Sequence, residues 1–177
     1  VRKCPKVKIT ASSANPYLKV INNDIYSKNG KVLYSVASTK TKYKVKKSVK
    51  EIEDGAFYKN DSIKSIYLPD SVKEIGEEAF GDMENLQSIR FSRSISELDY
   101  AMFNKCKKLK TVKLPKRIQT IRGNFGGKKN CYLKKIYINA VNLKKSNLKS
   151  LPKKCKVYVK SKNVKNQVKK AGFKGKV

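Results

Sequence analysis

The sequence predicts a mainly β protein: a right-handed solenoid of about five coils of about 23 residues, with parallel strands, an N-terminal hairpin cap and a short C-terminal helix. Three observations lead there. Six apolar positions recur at one spacing over three or more copies. Each copy closes on a short alternating run. Both ends of the chain depart from the pattern.

The repeat fixes the elements. Val49, Val72, Ile95 and Ile118 are 23 residues apart, and so are Ile52, Ile75, Leu98 and Ile121. Phe57, Phe80 and Phe103 keep the spacing, each behind Ala56, Ala79 or Met102. Ile63, Leu86 and Leu109 follow, then Ile66, Ile89 and Val112, then Leu68, Phe91 and Leu114. The run Leu109-Lys110-Thr111-Val112-Lys113-Leu114 alternates at its end, which makes a short strand. Pro69 and Pro115 end two such strands. Val72 to Ile75 predicts a second extended piece, and Ala79-Phe80 a turn. Strands of successive coils then pair in parallel, with Ile66, Ile89, Val112 and Ile136 in one interior column.

The fourth copy is one residue longer. Phe125 arrives one position early, while Leu133, Ile136 and Ile138 arrive one late. The glycines at 123, 126 and 127 can absorb the difference in a turn. A degenerate last rung follows, with Val141, Leu143, Leu148, Leu151-Pro152 and Val157-Tyr158-Val159. Residues 17–36 read as a hairpin, with Asn29-Gly30 as a type I′ turn. Residues 37–44 read as a loop, and 1–16 as a linker or added strand. The organisation expected is 1–44 as linker and hairpin cap, 45–138 as repeats, and 139–177 as a degenerate repeat and basic cap, all one continuous domain.

Charge is the extreme feature of composition: 43 Lys and Arg against 13 Asp and Glu, net +30. Residues 51–100 carry net −7, while residues 101–177 hold 25 basic residues and no acidic one. Such a field attracts polyanions. There is no His, which excludes His-activated Ser or Cys nucleophiles and His-containing zinc sites. Cys4, Cys106, Cys131 and Cys155 show no CxxC spacing. Cys106 and Cys155 read as core thiols, and Cys106 and Cys131 fall in neighbouring coils, where free thiols and a disulfide are both open. The glutamate column of Glu51, Glu74 and Glu97 reads as a solvated face rather than a calcium site. Gly126-Gly127-Lys128-Lys129 lacks the spacing of a phosphate loop. No run approaches the length of a membrane helix. No catalytic residue, metal ligand or cofactor is expected.

The string Leu68-Pro69-Asp70-Ser71-Val72-Lys73-Glu74-Ile75-Gly76-Glu77-Glu78-Ala79-Phe80, with Cys106 three residues after Phe103, resembles the BspA-like (Treponema pallidum-type) leucine-rich repeats. The clear likeness spans residues 45–138. It weakens toward Leu151–Val159, which is similar to the family's closing strand, and Val164–Phe173, similar to its terminal helix. The resemblance implies the α/β repeat class, no enzymatic activity, an extracellular or cell-surface location, and a role in adhesion or in protein and host interaction.

Two surfaces are candidates. The residues between the apolar positions of each strand face outward. They are Tyr67, Arg90, Lys113, Tyr137 and Tyr158, one per coil, and Tyr and Arg are favoured at binding hot spots. Ser65, Ser88, Thr111, Lys135 and Lys156 flank them. The second surface is the basic C-terminal part, represented by Lys153, Lys154, Lys160 and Lys162, for a polyanion such as teichoic acid, a sulfated glycan or nucleic acid. The expected partner is a protein or glycan of host or cell-wall origin, bound by a monomer.

Overall fold

In the computed structural model of the chain, residues 8–123, 125–126, 131–144 and 146–177 are described. Cys4 and the Gly127-Lys128-Lys129 part of the phosphate-loop comparison lie outside them. The structure is a mostly β solenoid with parallel strands and, among the described residues, one short C-terminal helix.

Each coil but the last contributes two strands among the described residues. One series is β3 (Val32–Ser35), β5 (Glu51–Ile52), β7 (Glu74–Ile75), β9 (Glu97–Leu98) and β11 (Thr120–Ile121). The others are β4 (Lys42–Lys44), β6 (Ser65–Tyr67), β8 (Ser88–Arg90), β10 (Thr111–Leu114), β12 (Lys135–Ile138) and β13 (Lys156–Val159). In the first group β3, β5 and β7 pair in parallel, as do β9 and β11. In the second group the parallel sheets are β4-β6-β8 and β10-β12-β13.

The phenylalanine column is the spine. Phe57 and Phe80 lie 5.3 Å apart between ring centroids, Phe80 and Phe103 5.9 Å, and Phe103 and Phe125 6.3 Å. Phe125 therefore joins the stack although it arrives one residue early. Tyr43 closes the other end edge-on against Phe57 at 5.2 Å. The turns carrying these rings bond coil to coil: Phe57 donates its N–H to the carbonyl of Ala79, and Lys59 to that of Gly81.

These turns need the left-handed backbone region twice per coil. Gly55, Glu78 and Ala101 form one such column, with φ of 57°, 48° and 49°. Lys59, Asp82 and Lys105 form the other, at 59°, 54° and 53°. A side chain there costs about 1–2 kcal/mol relative to glycine. The first coil already uses glycine. Ala101→Gly is accordingly expected to raise the stability by about 1 kcal/mol, read as a higher urea midpoint. A lowered midpoint would show that the Ala101 methyl contributes more by packing than its backbone costs.

The interior column expected from the repeat is present. Ile66 is opposite Ile89, and Ile136 lies between Val112 and Val157. Ile66, Val112 and Ile136 are buried, whereas Ile89 is half-buried. Both sheets lose their hydrogen-bonded register at one place, between β7 and β9 and between β8 and β10. There the larger Phe91 stands where the neighbouring copies have Leu68 and Leu114, and it packs edge-on against Phe103 at 6.2 Å.

The N-terminal end differs in detail from the hairpin expected. β1 (Leu18–Ile21) and β2 (Asp24–Ser27) are antiparallel, and β2 is antiparallel to β3, so the cap is a three-stranded meander. The turn with two left-handed residues, as type I′ requires, is Asn22-Asn23. At Asn29-Gly30 only Gly30 is left-handed, and the link is longer. Residues 42–44, read as loop, are strand β4 in register with β6. The other end is closed by α1 (Lys162–Lys170), capped by Ser161, whose side chain accepts the N–H of Val164. Val164 and Val168 are fully buried against the last coil, so the helix's apolar face is spent on the core.

Candidate functional site

The parallel register turns the outward residues into a ladder. Lys44, Tyr67 and Arg90 are successive Cα partners, and so are Lys113, Tyr137 and Tyr158. The structure thus brings together all five predicted stripe residues, in two triplets, and adds Lys44, which reading residues 37–44 as a loop had missed. The rings and cations contact each other within each triplet. Lys44 Nζ lies 5.3 Å and the Arg90 guanidinium 4.8 Å from the Tyr67 ring centroid. Lys113 Nζ lies 5.7 Å from the Tyr137 centroid. Tyr137 and Tyr158 stack at 4.7 Å with 12° between planes. Beside the ladder runs a second column, Lys42-Ser65-Ser88 and Thr111-Lys135-Lys156. A depression of about 380 Å³ lies over β4-β6-β8 and is lined by Lys42, Lys44, Tyr67 and Arg90 among others.

The four predicted C-terminal lysines are exposed but do not form one cluster around one cavity. Lys160 and Lys162, with Lys165 and Tyr158, line a depression of about 580 Å³ beside β13 and α1. Lys153 lines another of about 690 Å³ with Lys149 and Lys174. Lys154 lines neither.

The other sheet has the opposite sign. Glu51 stands directly beside Glu74, and burial, followed by Glu53 and Glu74, pushes its carboxyl above the usual range. Glu97 is held by Arg122 through Nε at 3.0 Å and Nη2 at 2.6 Å. Asp70 makes a two-armed ion pair with Arg93, Glu84 pairs with Lys107, and Asp82 with Lys105. Each of these pairs joins one coil to the next, so three basic residues of the 101–177 stretch are occupied by carboxylates of the acidic middle. Among the described residues no group of three or more acidic or thiol side chains is arranged to hold a metal ion.

The thiols are equally unsuited to chemistry. Cys106, Cys131 and Cys155 are free and buried. Burial pushes Cys106 and Cys155 up to about 12, and it raises Cys131 as well. The Cys106 Sγ points at the Phe80 carbonyl, 3.0 Å away. None is a thiolate at neutral pH, and Cys106 and Cys131 are unlinked.

A family model described as the BspA-type leucine-rich repeat region matches residues 18–157 in six copies. Among solved structures, a leucine-rich cell-surface protein from Faecalibacterium prausnitzii is 24% identical over 93% of this chain and 45% of its own, with a TM-score of 0.71. The pneumococcal vaccine antigen PcpA is 21% identical over 93% of this chain and 48% of its own, also at 0.71. A leucine-rich-repeat protein from Bacteroides capillosus is 17% identical over 82% of this chain and 99% of its own, at 0.58. The chain thus spans about half the length of the first two. No curated relative matches it. The solenoid geometry, the phenylalanine spine and a repeat match over most of the chain agree: this protein belongs to the BspA-type leucine-rich-repeat family.

Proposed function

We propose that the chain is a non-enzymatic binding module acting at the cell surface or outside the cell, in adhesion or in contact with a protein or host ligand, and that the partner lies on the outward ladder Tyr67, Arg90, Lys113, Tyr137 and Tyr158. The observation that carries this reading is the ladder itself. Family membership fits a binding module. Two of the three similar structures come from proteins described as a cell-surface protein and a vaccine antigen, which supports the location.

A second reading, polyanion capture by the C-terminal lysines, is favoured by one observation: Lys160 and Lys162 share a depression with Tyr158, the end of the ladder. The two surfaces are therefore continuous at one point rather than competing.

The test is the Tyr137→Ala, Tyr158→Ala double variant on an array of extracellular-matrix proteins and glycans at physiological salt. The expected result is at least a tenfold loss of affinity for the strongest wild-type ligand. Because the two rings stack, the variant also loses about 0.5–1.5 kcal/mol of stability, which leaves it folded. Unchanged binding with a native circular-dichroism spectrum would remove the ladder as the partner surface.

A further inference from the structure

We infer that the ligand of the ladder is an extended anionic polysaccharide, carrying carboxylate or sulfate groups, that runs across the strands along the solenoid axis and ends stacked on the ring of Tyr158. This rests on the reading of the ladder as the binding surface and names its ligand class.

The ring faces decide the chemistry. Tyr67 lies between Lys44 and Arg90, and Tyr137 between Lys113 and Tyr158. A ligand passing over these rungs meets cationic heads and phenolic edges, with no free ring face to stack on. Tyr158 is different. One face is stacked on Tyr137, no cation among the described residues lies over the ring, and the residue is 40% exposed at the wall of the 580 Å³ depression. Lys160, Lys162 and Lys165 line the same depression. Val177 lines it too, where the C-terminal segment accepts the Val157 N–H through Lys176. A partly exposed aromatic ring beside several ammonium groups suits a saccharide ring, which offers an apolar C–H face to the ring and anionic substituents at its edge.

The direction follows from the sheet. Successive rungs are about 4.8 Å apart across the strands. Within β4-β6-β8 and within β10-β12-β13 the backbone N–H and C=O groups pair along the ladder, and a polypeptide crossing those strands at right angles adds no strand to either sheet. The neighbouring column adds Lys42, Lys135 and Lys156, and Ser65, Ser88 and Thr111 supply hydroxyl groups for sugar hydroxyls. The carboxylates of the other sheet keep a polyanion off that face.

Calorimetric titration at physiological salt tests this with heparin fragments, poly-L-glutamate and polyphosphate of matched charge, the last standing for phosphate-bearing wall polymers. The wild type is expected to bind heparin at least tenfold more tightly than either. Tyr158→Ala should erase that preference by weakening heparin about tenfold while shifting polyglutamate by less than twofold. Tyr158→Phe, which keeps the ring face, should restore it. Arg90→Gln with Lys113→Gln should weaken all three. Equal affinity for the three polymers, tighter binding of polyphosphate, no binding, or an unaffected heparin affinity in Tyr158→Ala overturns the polysaccharide assignment. Where a polymer still binds, a loss in the Arg90→Gln, Lys113→Gln pair leaves the ladder standing as a binding surface, and where none binds, the array comparison with Tyr137→Ala, Tyr158→Ala decides whether the ladder stands. Heparin binding untouched by both the pair and Tyr158→Ala overturns the ladder reading itself.

Discussion

Ile136→Asp is expected to leave the chain unfolded at room temperature. Ile136 is fully buried, and its Cα partners on either side are Val112 and Val157. Truncating a buried isoleucine costs about 2–5 kcal/mol before any charge is considered. A carboxylate placed there has no cation or donor to meet it, because its neighbours in the column are aliphatic, and that adds a desolvation cost. Against a typical stability of about 5–15 kcal/mol the sum removes most or all of the folded population. The same change at Ile89 should be milder, since that side chain is half-buried beside the break between β8 and β10. Far-ultraviolet circular dichroism and urea titration read both, with Ile136→Val, worth about 0.5–1.5 kcal/mol, as the conservative control. A cooperative, native-like unfolding curve for Ile136→Asp would show that the column is not the continuous interior described.

The contrast between Ile136 and Ile89 also shows where sequence reasoning reached its end. The 23-residue spacing carries the coil length, the Phe57–Phe80–Phe103 spine, the interior column and the outward positions of Tyr67, Arg90, Lys113, Tyr137 and Tyr158, because a solenoid converts one period into one stacking vector. It could not carry the break between the second and third repeat coils. Phe91 occupies an ordinary apolar position in the pattern, and only its contact with Phe103 reveals that its volume is placed differently from that of Leu68 or Leu114. Strand β4 was missed for a related reason. Lys42-Tyr43-Lys44 has a single apolar residue between two lysines, too short a run to identify without knowing that Ser65-Ile66-Tyr67 lies beside it. The signal that could have found it was the distance from Tyr43 to Ile66, which is 23 residues, the repeat itself. The turn assignments failed on local grounds. Asn-Gly outweighs Asn-Asn as a type I′ signal, yet the tight turn joining β1 and β2 falls on Asn22-Asn23. For the candidate site, the alternation of each strand gave the residues, whereas the covering of ring faces by Lys44, Arg90 and Lys113 depends on rotamers and neighbours in other coils. The sharing of a depression by Tyr158, Lys160 and Lys162 likewise depends on where α1 comes to rest.

Asp24→Ala is expected to cost at least about 3 kcal/mol although it removes the only carboxylate of the first 50 residues, in a strongly basic chain. Asp24 is 4% exposed, and its two oxygens serve three donors. Oδ1 accepts the N–H groups of Ala37 at 3.0 Å and Ser38 at 3.1 Å, and Oδ2 accepts the Tyr43 hydroxyl at 2.6 Å. With its proton committed to Asp24, the Tyr43 oxygen accepts from Tyr26 at 3.2 Å. The carboxylate thus ties β2 to the chain leading into β4 and orients the tyrosine that ends the phenylalanine spine. Alanine leaves the three donors without that acceptor, and each buried orphan costs about 1–3 kcal/mol. Asparagine keeps an oxygen for the two N–H groups and should recover much of the loss. The pH dependence separates charge from geometry. Burial raises the Asp24 carboxyl above its ordinary value, outweighing the lowering effect of the Tyr43, Ala37 and Ser38 bonds. A folded-state pKa raised above the unfolded one gives stability that is fully present below the unfolded value and is lost as pH rises through the folded value. The wild type should therefore gain on Asp24→Asn when the pH falls through the carboxylate range and lose ground to it toward neutrality. Paired urea titrations of wild type, Asp24→Asn and Asp24→Ala on both sides of that range give the two differences. A difference between wild type and Asp24→Asn that does not change with pH, or that changes in the opposite direction, would show that the buried network, rather than desolvation, sets the ionisation of Asp24. An Asp24→Ala variant as stable as the wild type would show that water or rearranged backbone replaces the carboxylate.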